Sequence, residues 1–302
     1  MKVIVACICL LASSRALSEE TALAEEDLPT ADVLQDQLNT MMQGTASWFD
    51  AIGSDRDSDE ASAKGYLQLS WLPRTADLDD VDVNFKVSLN LPQWSERLSL
   101  VIDNDDEEDE QLLDYESNHI NDEQEDVNIA FQYVKQFNQQ RSVKNRVGFS
   151  RSQVYLRSEM KFNWQVQQVT FSLQPRLDYF LEDGLEPSIK TTTAYQLEES
   201  ALSLSANWQK RQTESNSRRK IGFYHIKPTG EDQLLVSGVQ YNKSNNADDI
   251  PHESYFISIR YRNLLYKSWM YFEVEPFTEF NQSNDFKTEV GIIFSLISYY
   301  GD

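Results

Sequence analysis

From Val81 to Leu91 the chain alternates strictly between apolar and polar residues. Successive side chains of a strand point to opposite faces. Val81, Val83, Phe85, Val87, Leu89 and Leu91 therefore share one face, and Asp82, Asn84, Lys86, Ser88 and Asn90 the other. The same period returns as far as the C-terminus. Val154, Leu156, Met160, Phe162 and Trp164 oppose Tyr155, Arg157, Glu159, Lys161 and Asn163. Val169, Phe171, Leu173, Pro175, Leu177 and Tyr179 oppose Thr170, Ser172, Gln174, Arg176 and Asp178. Tyr255, Ile257, Ile259 and Tyr261 oppose Phe256, Ser258, Arg260 and Arg262, and Met270, Phe272, Val274 and Pro276 oppose Tyr271, Glu273, Glu275 and Glu279.

The pattern predicts about fourteen strands, near 65–72, 81–91, 96–103, 126–137, 142–149, 152–164, 167–180, 187–197, 199–211, 218–227, 232–243, 253–263, 268–279 and 286–298. Their connections alternate in length. Pro92–Ser95, Asn138–Arg141, Gln165-Val166, Glu198, Pro228–Glu231 and Leu264–Lys267 are short, whereas 104–125, 212–217 and 244–252 are longer and polar. Short turns at one end and long loops at the other are what a membrane barrel with both termini on the turn side shows. The connection at Ser150-Arg151 is short for the loop side, and if it is not a turn the count falls to twelve.

A soluble sandwich alternates too, so the class rests on further features. Many strands reach ten residues, longer than the usual strand of a soluble sheet. Aromatic residues mark the ends of the apolar phase, with Trp71, Tyr179, Trp208 and Tyr255 at one level and Trp94, Phe162, Trp164, Tyr195 and Tyr261 at the other, as interfacial girdles do. The fold class expected is all-β, a transmembrane antiparallel β-barrel over residues 64–302 with a short helical N-terminal extension.

Ahead of the strands, Met1-Lys2 and the apolar run Val3–Ala12 read as a signal peptide, too short to span a membrane, with cleavage after Ser18 or, alternatively, Ala16. Cys7 follows a lipobox-like Ile4-Val5-Ala6 but lies too near the start for lipidation. Both cysteines fall in this segment, so the chain beyond it has neither disulfides nor thiolate sites. Residues 19–63 form an acidic extension. Leu34, Leu38, Met41, Met42, Ala46, Trp48, Phe49 and Ile52 recur in it at spacings of three and four, predicting a short amphipathic helix over 31–52. Three placements fit that helix: a plug in the barrel, the inner leaflet, or a periplasmic partner.

The net charge of −22 excludes nucleic acid as a partner, since phosphate binding needs basic surface. The acid is concentrated in 19–60 and in the run from Asp103 to Asp126, which reads as a solvated loop. Asp103–Asp109 is not an EF-hand, because Glu108 stands where the loop needs glycine. Shared binding of hard cations at the lipopolysaccharide surface is the other reading of that run.

Glu289-Val-Gly291-Ile-Ile-Phe294-Ser-Leu296 resembles the C-terminal β-signal of Gram-negative outer-membrane proteins, polar-x-Gly-x-x-aromatic-x-hydrophobic. The chain runs on through Ile297–Asp302 where that signal usually ends at an aromatic residue. The resemblance implies an outer-membrane location and recognition by the barrel-assembly machinery, with Gly291, Phe294 and Leu296 as its elements. Ser47-Trp48-Phe49-Asp50 also resembles an element of uncharacterised proteobacterial outer-membrane proteins and carries no activity.

Little chemistry stands out. His252-Glu253-Ser254 resembles the His-x-Ser pairing of outer-membrane phospholipases, but Tyr255 stands where that family has Asn, and the parity puts His252 and Ser254 on the inner face. His119 and His225 add no triad or metal cage. No enzyme activity, cofactor or metal is expected. The constellation singled out is the interior set Arg157, Arg176, Arg260 and Arg262 with Glu159, Asp178, Glu273, Glu275 and Glu279. It reads either as a transverse field across a water-filled pore or as ion pairs that fill and stiffen the barrel. The function expected is a porin-like channel for small polar solutes, cations among them because of the acidic loop. The alternative is a structural or accessory barrel that docks a periplasmic or envelope partner through its extension.

Overall fold

The computed structural model describes residues 62–75, 78, 80–91, 97–104, 127–138, 140–230, 232–245 and 251–301. The signal-peptide segment, the predicted helix over 31–52, Trp94, His119 and the acidic run from residue 105 to 126 lie outside the described residues.

Fourteen antiparallel strands close into a barrel: β1 (Ser62–Trp71), β2 (Val81–Asn90), β3 (Leu98–Asp103), β4 (Asn128–Asn138), β5 (Arg141–Ser150), β6 (Gln153–Val166), β7 (Val169–Phe180), β8 (Gly184–Gln196), β9 (Ala201–Gln209), β10 (Arg218–Gly230), β11 (Gln233–Asn245), β12 (Pro251–Tyr266), β13 (Met270–Asn281) and β14 (Thr288–Tyr300). Each strand pairs with its sequence neighbours, and β1 pairs with β14 from Gly65↔Tyr300 to Trp71↔Phe294. Closure matters because a sheet edge in hydrocarbon would leave backbone N–H and C=O groups without partners. No helix among the described residues is long and apolar enough to cross a membrane.

The Ser150-Arg151 connection is a genuine turn, which fixes the count at fourteen. Arg151 and Ser152 have φ of 51° and 60°, the left-handed pair that matches a two-residue hairpin turn to the twist of its strands. The β6–β7 turn falls two residues later than the sequence suggests, with Gln167 at φ 54°. Connections 91–97, 139–140, 167–168, 197–200, 231–232 and 267–269 share one end with the start of β1 and the end of β14, here called the terminal end. Connections 72–80, 104–127, 151–152, 181–183, 210–217, 246–250 and 282–287 share the other, the loop end.

The apolar phase points outward. Leu69, Val83, Phe131, Leu156, Phe223, Ile257, Ile259 and Val290 are all more than a third exposed, an inversion of what water demands of a soluble protein. Trp71, Tyr179, Trp208, Tyr255, Trp164, Tyr195 and Tyr261 are exposed on the same face, and Trp71 stacks on Phe294 at 5.6 Å. One stretch differs: Ala63, Leu89, Leu91 and Leu100, at the terminal end of β1–β3, pack into a buried cluster with Val87 against it.

The inward phase is closely fitted in places. Tyr224 on β10 lies between Gly222 and Gly238, and its hydroxyl donates to Gln240 Oε1 at 2.7 Å. A Cβ at Gly238 would stand 2.4 Å from the ring, so this strand position needs glycine for close approach. Gly238→Ala should therefore cost about 1–3 kcal/mol, as overpacking does, read by urea unfolding of protein refolded into vesicles. Paired with Tyr224→Ala, the same change should cost little. An equal cost in both backgrounds would show that the ring is not the obstacle.

Candidate functional site

The interior is where the chemistry lies, because strand parity sends the polar phase there. Its charges pair sideways. On β6–β7, Arg157 Nε and Nη2 donate to Asp178 at 2.8 and 3.2 Å, and Arg176 Nε stands 3.3 Å from the same carboxylate. On β12–β13, Arg260 Nε donates to Glu275 at 2.9 Å, Ser258 Oγ adds a bond of 2.6 Å to that carboxylate, and Arg262 Nε donates to Glu273. Glu279, the next inward residue after Phe277, meets Arg74 at 3.7 Å. Glu159 sits in register between Lys144 on β5 and Arg176 on β7.

Arg157–Asp178, Arg260–Glu275 and Arg262–Glu273 each join neighbouring strands, Arg176–Asp178 lies within β7, and Arg74 reaches Glu279 from the 72–80 connection. In these strand pairs opposite charges thus stand side by side on one wall, where each cancels the field of its neighbour. Burial explains why they must pair. Asp178 is 0% exposed and Arg157 5%, and a charge taken out of water needs a partner and hydrogen bonds to remain charged.

Several members of the network were not visible in the sequence. Asp103 closes the strand predicted over 96–103 and also heads the acidic run that reads as a solvated loop; the structure keeps it in β3, at 3% exposure. It accepts from Arg146 Nη1 at 3.3 Å and from Asn128 Nδ2 at 3.0 Å, while Arg146 Nε donates to Gln132. The cause is simple: Asp103 keeps the inward parity of Ser99 and Val101, so the strand carries it into the interior before the chain leaves the sheet. At the loop end, Glu186 accepts from Arg151 Nη1 at 2.9 Å and from Arg211 Nε at 3.0 Å. Arg211 also meets Glu214 at 3.0 Å, and Glu214 in turn accepts from Arg218 and from Asn245 Nδ2. This chain of contacts ties the β5–β6 turn to β8, the β9–β10 connection, β10 and β11.

The interior is not uniformly filled. On β6 the inward residues run from buried at the loop end (Gln153, Tyr155, Arg157) through half-buried (Glu159, Lys161, Asn163) to exposed (Gln165). β7 shows the same gradient from Phe180 and Asp178 through Arg176, Gln174 and Ser172 to Thr170, and β8 from Glu186 and Ser188 through Lys190 and Thr192 to Gln196. The loop half of this wall is packed, with Ala130, Tyr155 and Phe180 as its apolar filling. Across the barrel Leu72, Phe256, Phe277 and Ile293 form a second inward apolar cluster. The terminal half of the β5–β8 wall is open to water.

Of the other residues singled out, Ser254 is buried on the inward phase of β12 and His252 lies two positions nearer the loop end, in register with Ser244. His225 falls on the outward phase of β10 with Ile221 and Phe223. Gly291 faces Phe277, whose ring would lie 2.5 Å from an added Cβ. Phe294 and Leu296 point outward, opposite Trp71 and Leu69.

No protein-family model and no curated protein matches the sequence. Among solved structures the chain is similar to a loop-deletion mutant of OmpT, an outer membrane protein of Vibrio cholerae, with 10% identity and a TM-score of 0.51 over 80% of this chain and 100% of that one. It is also similar to OccK10 (OpdN) of Pseudomonas aeruginosa, with 10% identity and a TM-score of 0.48 over 80% and 99% of the two chains. The first similarity shows the fold, a closed barrel of the outer-membrane type.

Proposed function

We propose that this chain is an outer-membrane barrel acting as a porin-like channel for small polar solutes. The observation that carries this reading is a polar interior, open to water over the terminal half of the β5–β8 wall, inside a closed barrel whose exterior is apolar. Only a bilayer suits such an exterior. On this reading residues 1–18 are a signal peptide that is removed, the terminal end is periplasmic, and the loop end meets lipopolysaccharide. Gly291, Phe294 and Leu296 serve the barrel-assembly machinery as its β-signal.

The buried ion pairs of the loop half favour a second reading, an accessory barrel whose extension docks a periplasmic or envelope partner. Planar-bilayer conductance of the purified, folded protein separates the two. Stable ohmic steps are expected. Silence from folded protein, both intact and after deletion of residues 19–61, would sink the channel reading. A larger conductance after that deletion would identify the extension as a plug, and lost co-purification with conductance unchanged would identify it as a docking segment.

A further inference from the structure

The open half of the interior carries a charge opposite to that of the chain. Its half-buried inward residues on β5–β8 include three lysines, Lys144, Lys161 and Lys190, and one carboxylate, Glu159, beside Arg176, which also contacts Asp178. The other carboxylates facing inward on these strands, Asp178 and Glu186, are buried, and each is held by two arginines. They add no negative field to the open space.

Register sharpens the picture. Along the hydrogen-bonding direction Ser142 pairs with Lys161, Gln174 with Lys190, Lys190 with Asn207, and Asn207 with Lys220. In this row Lys161 on β6 and Lys190 on β8 are half-buried, with the neutral Gln174 between them, and beyond Asn207 the row ends at Lys220 on β10, which is buried. Neighbouring strands lie about 4.8 Å apart, so successive lysines are on the order of 10 Å from one another. That spacing is one a small anion can bridge between Lys161 and Lys190, with the Gln174 amide between them. No carboxylate occupies this row.

We propose that the open half of the interior is an anion-binding vestibule, with Lys161 and Lys190 its principal cations, and that the channel prefers small anions such as chloride, inorganic phosphate and short carboxylates. The inference rests on the channel reading for its transport part, and on the row alone for its binding part. It runs against the cation preference that the acidic segment suggests. The field of charges in water is screened within about 8–10 Å at physiological salt. Charges inside a low-dielectric wall are screened far less.

The test is the reversal potential of the purified, folded protein in a planar bilayer under a KCl gradient. A chloride-over-potassium preference is expected, falling roughly threefold or more in the Lys161→Glu/Lys190→Glu double variant. Lys161→Gln/Lys190→Gln, which keeps the polarity of the wall, should give a smaller fall and covers the case in which the acidic variant does not fold. A potassium preference in the parent protein, or a ratio unmoved by both double variants, would overturn the proposal. If folded protein conducts nothing, the channel reading falls on its own. Equilibrium dialysis with labelled inorganic phosphate then decides the vestibule: uptake lost in the glutamine variant keeps it, and no uptake by the parent removes it.

Discussion

Asp178→Asn should destabilise the folded barrel by about 3–5 kcal/mol, the cost of breaking a buried ion pair and leaving its partner charged. The expectation follows from geometry. Asp178 has no exposed surface and holds two guanidinium groups, Arg157 through two hydrogen bonds and Arg176 at 3.3 Å. Asparagine keeps the shape and removes the charge, so both arginines lose their counterion in a packed interior lined by Tyr155 and Phe180. Equilibrium unfolding in urea of protein refolded into phospholipid vesicles measures it. Glu253→Gln is the control. Glu253 pairs with Lys243 at 2.8 Å but both side chains are about 30% exposed, and such a surface pair is worth about 1 kcal/mol or less. If Asp178→Asn costs no more than the control, water reaches the loop half of the interior and that half is not packed.

The second large effect concerns the exterior. Ile259→Arg, midway along β12, should cost about 2–4 kcal/mol in vesicles, as arginine does at the midplane of a barrel's lipid face. Ile259 is 52% exposed, and in a water-soluble protein arginine at so exposed a position would be close to neutral. The same unfolding experiment therefore reports what solvent the outer face meets. Arg219 already stands on the outward phase at the loop rim, in register with Trp208, and Arg219→Ala should change stability far less than Ile259→Arg. A neutral Ile259→Arg would mean that the exterior faces water or another protein surface.

Strand number, phase and connections were legible because the signal is redundant. A period of two sustained over ten or more residues, as in Val154–Trp164, leaves few alternatives, and a turn displaced by two residues, as at Gln167, preserves the parity of everything after it. The pairing of charges was not legible. Sequence parity puts Arg157 and Asp178 on one face, but whether they meet depends on the register of β6 against β7, which the turn at 167–168 sets. For Asp103 the sequence offers two signals, the end of a strand over 96–103 and the head of an acidic run that advertises solvent, and the inward parity of the short β3 decides between them. The lysine row is spread over β6, β8 and β10, so no linear window contains it. The burial gradient depends on what fills the loop half, and side chains from many strands contribute to that.

The lateral ion pairs also bear on biogenesis. Arg157 and Asp178 belong to one hairpin, β6–β7, and Arg260, Arg262, Glu273 and Glu275 to another, β12–β13. Contacts within a hairpin form early, since little chain entropy is lost in closing a short loop. These two hairpins therefore carry their own counterions before the barrel closes, and their guanidiniums need not wait beside hydrocarbon for a distant strand to arrive. A barrel whose charges paired across its width would meet that cost at every intermediate, until the last strand was in place.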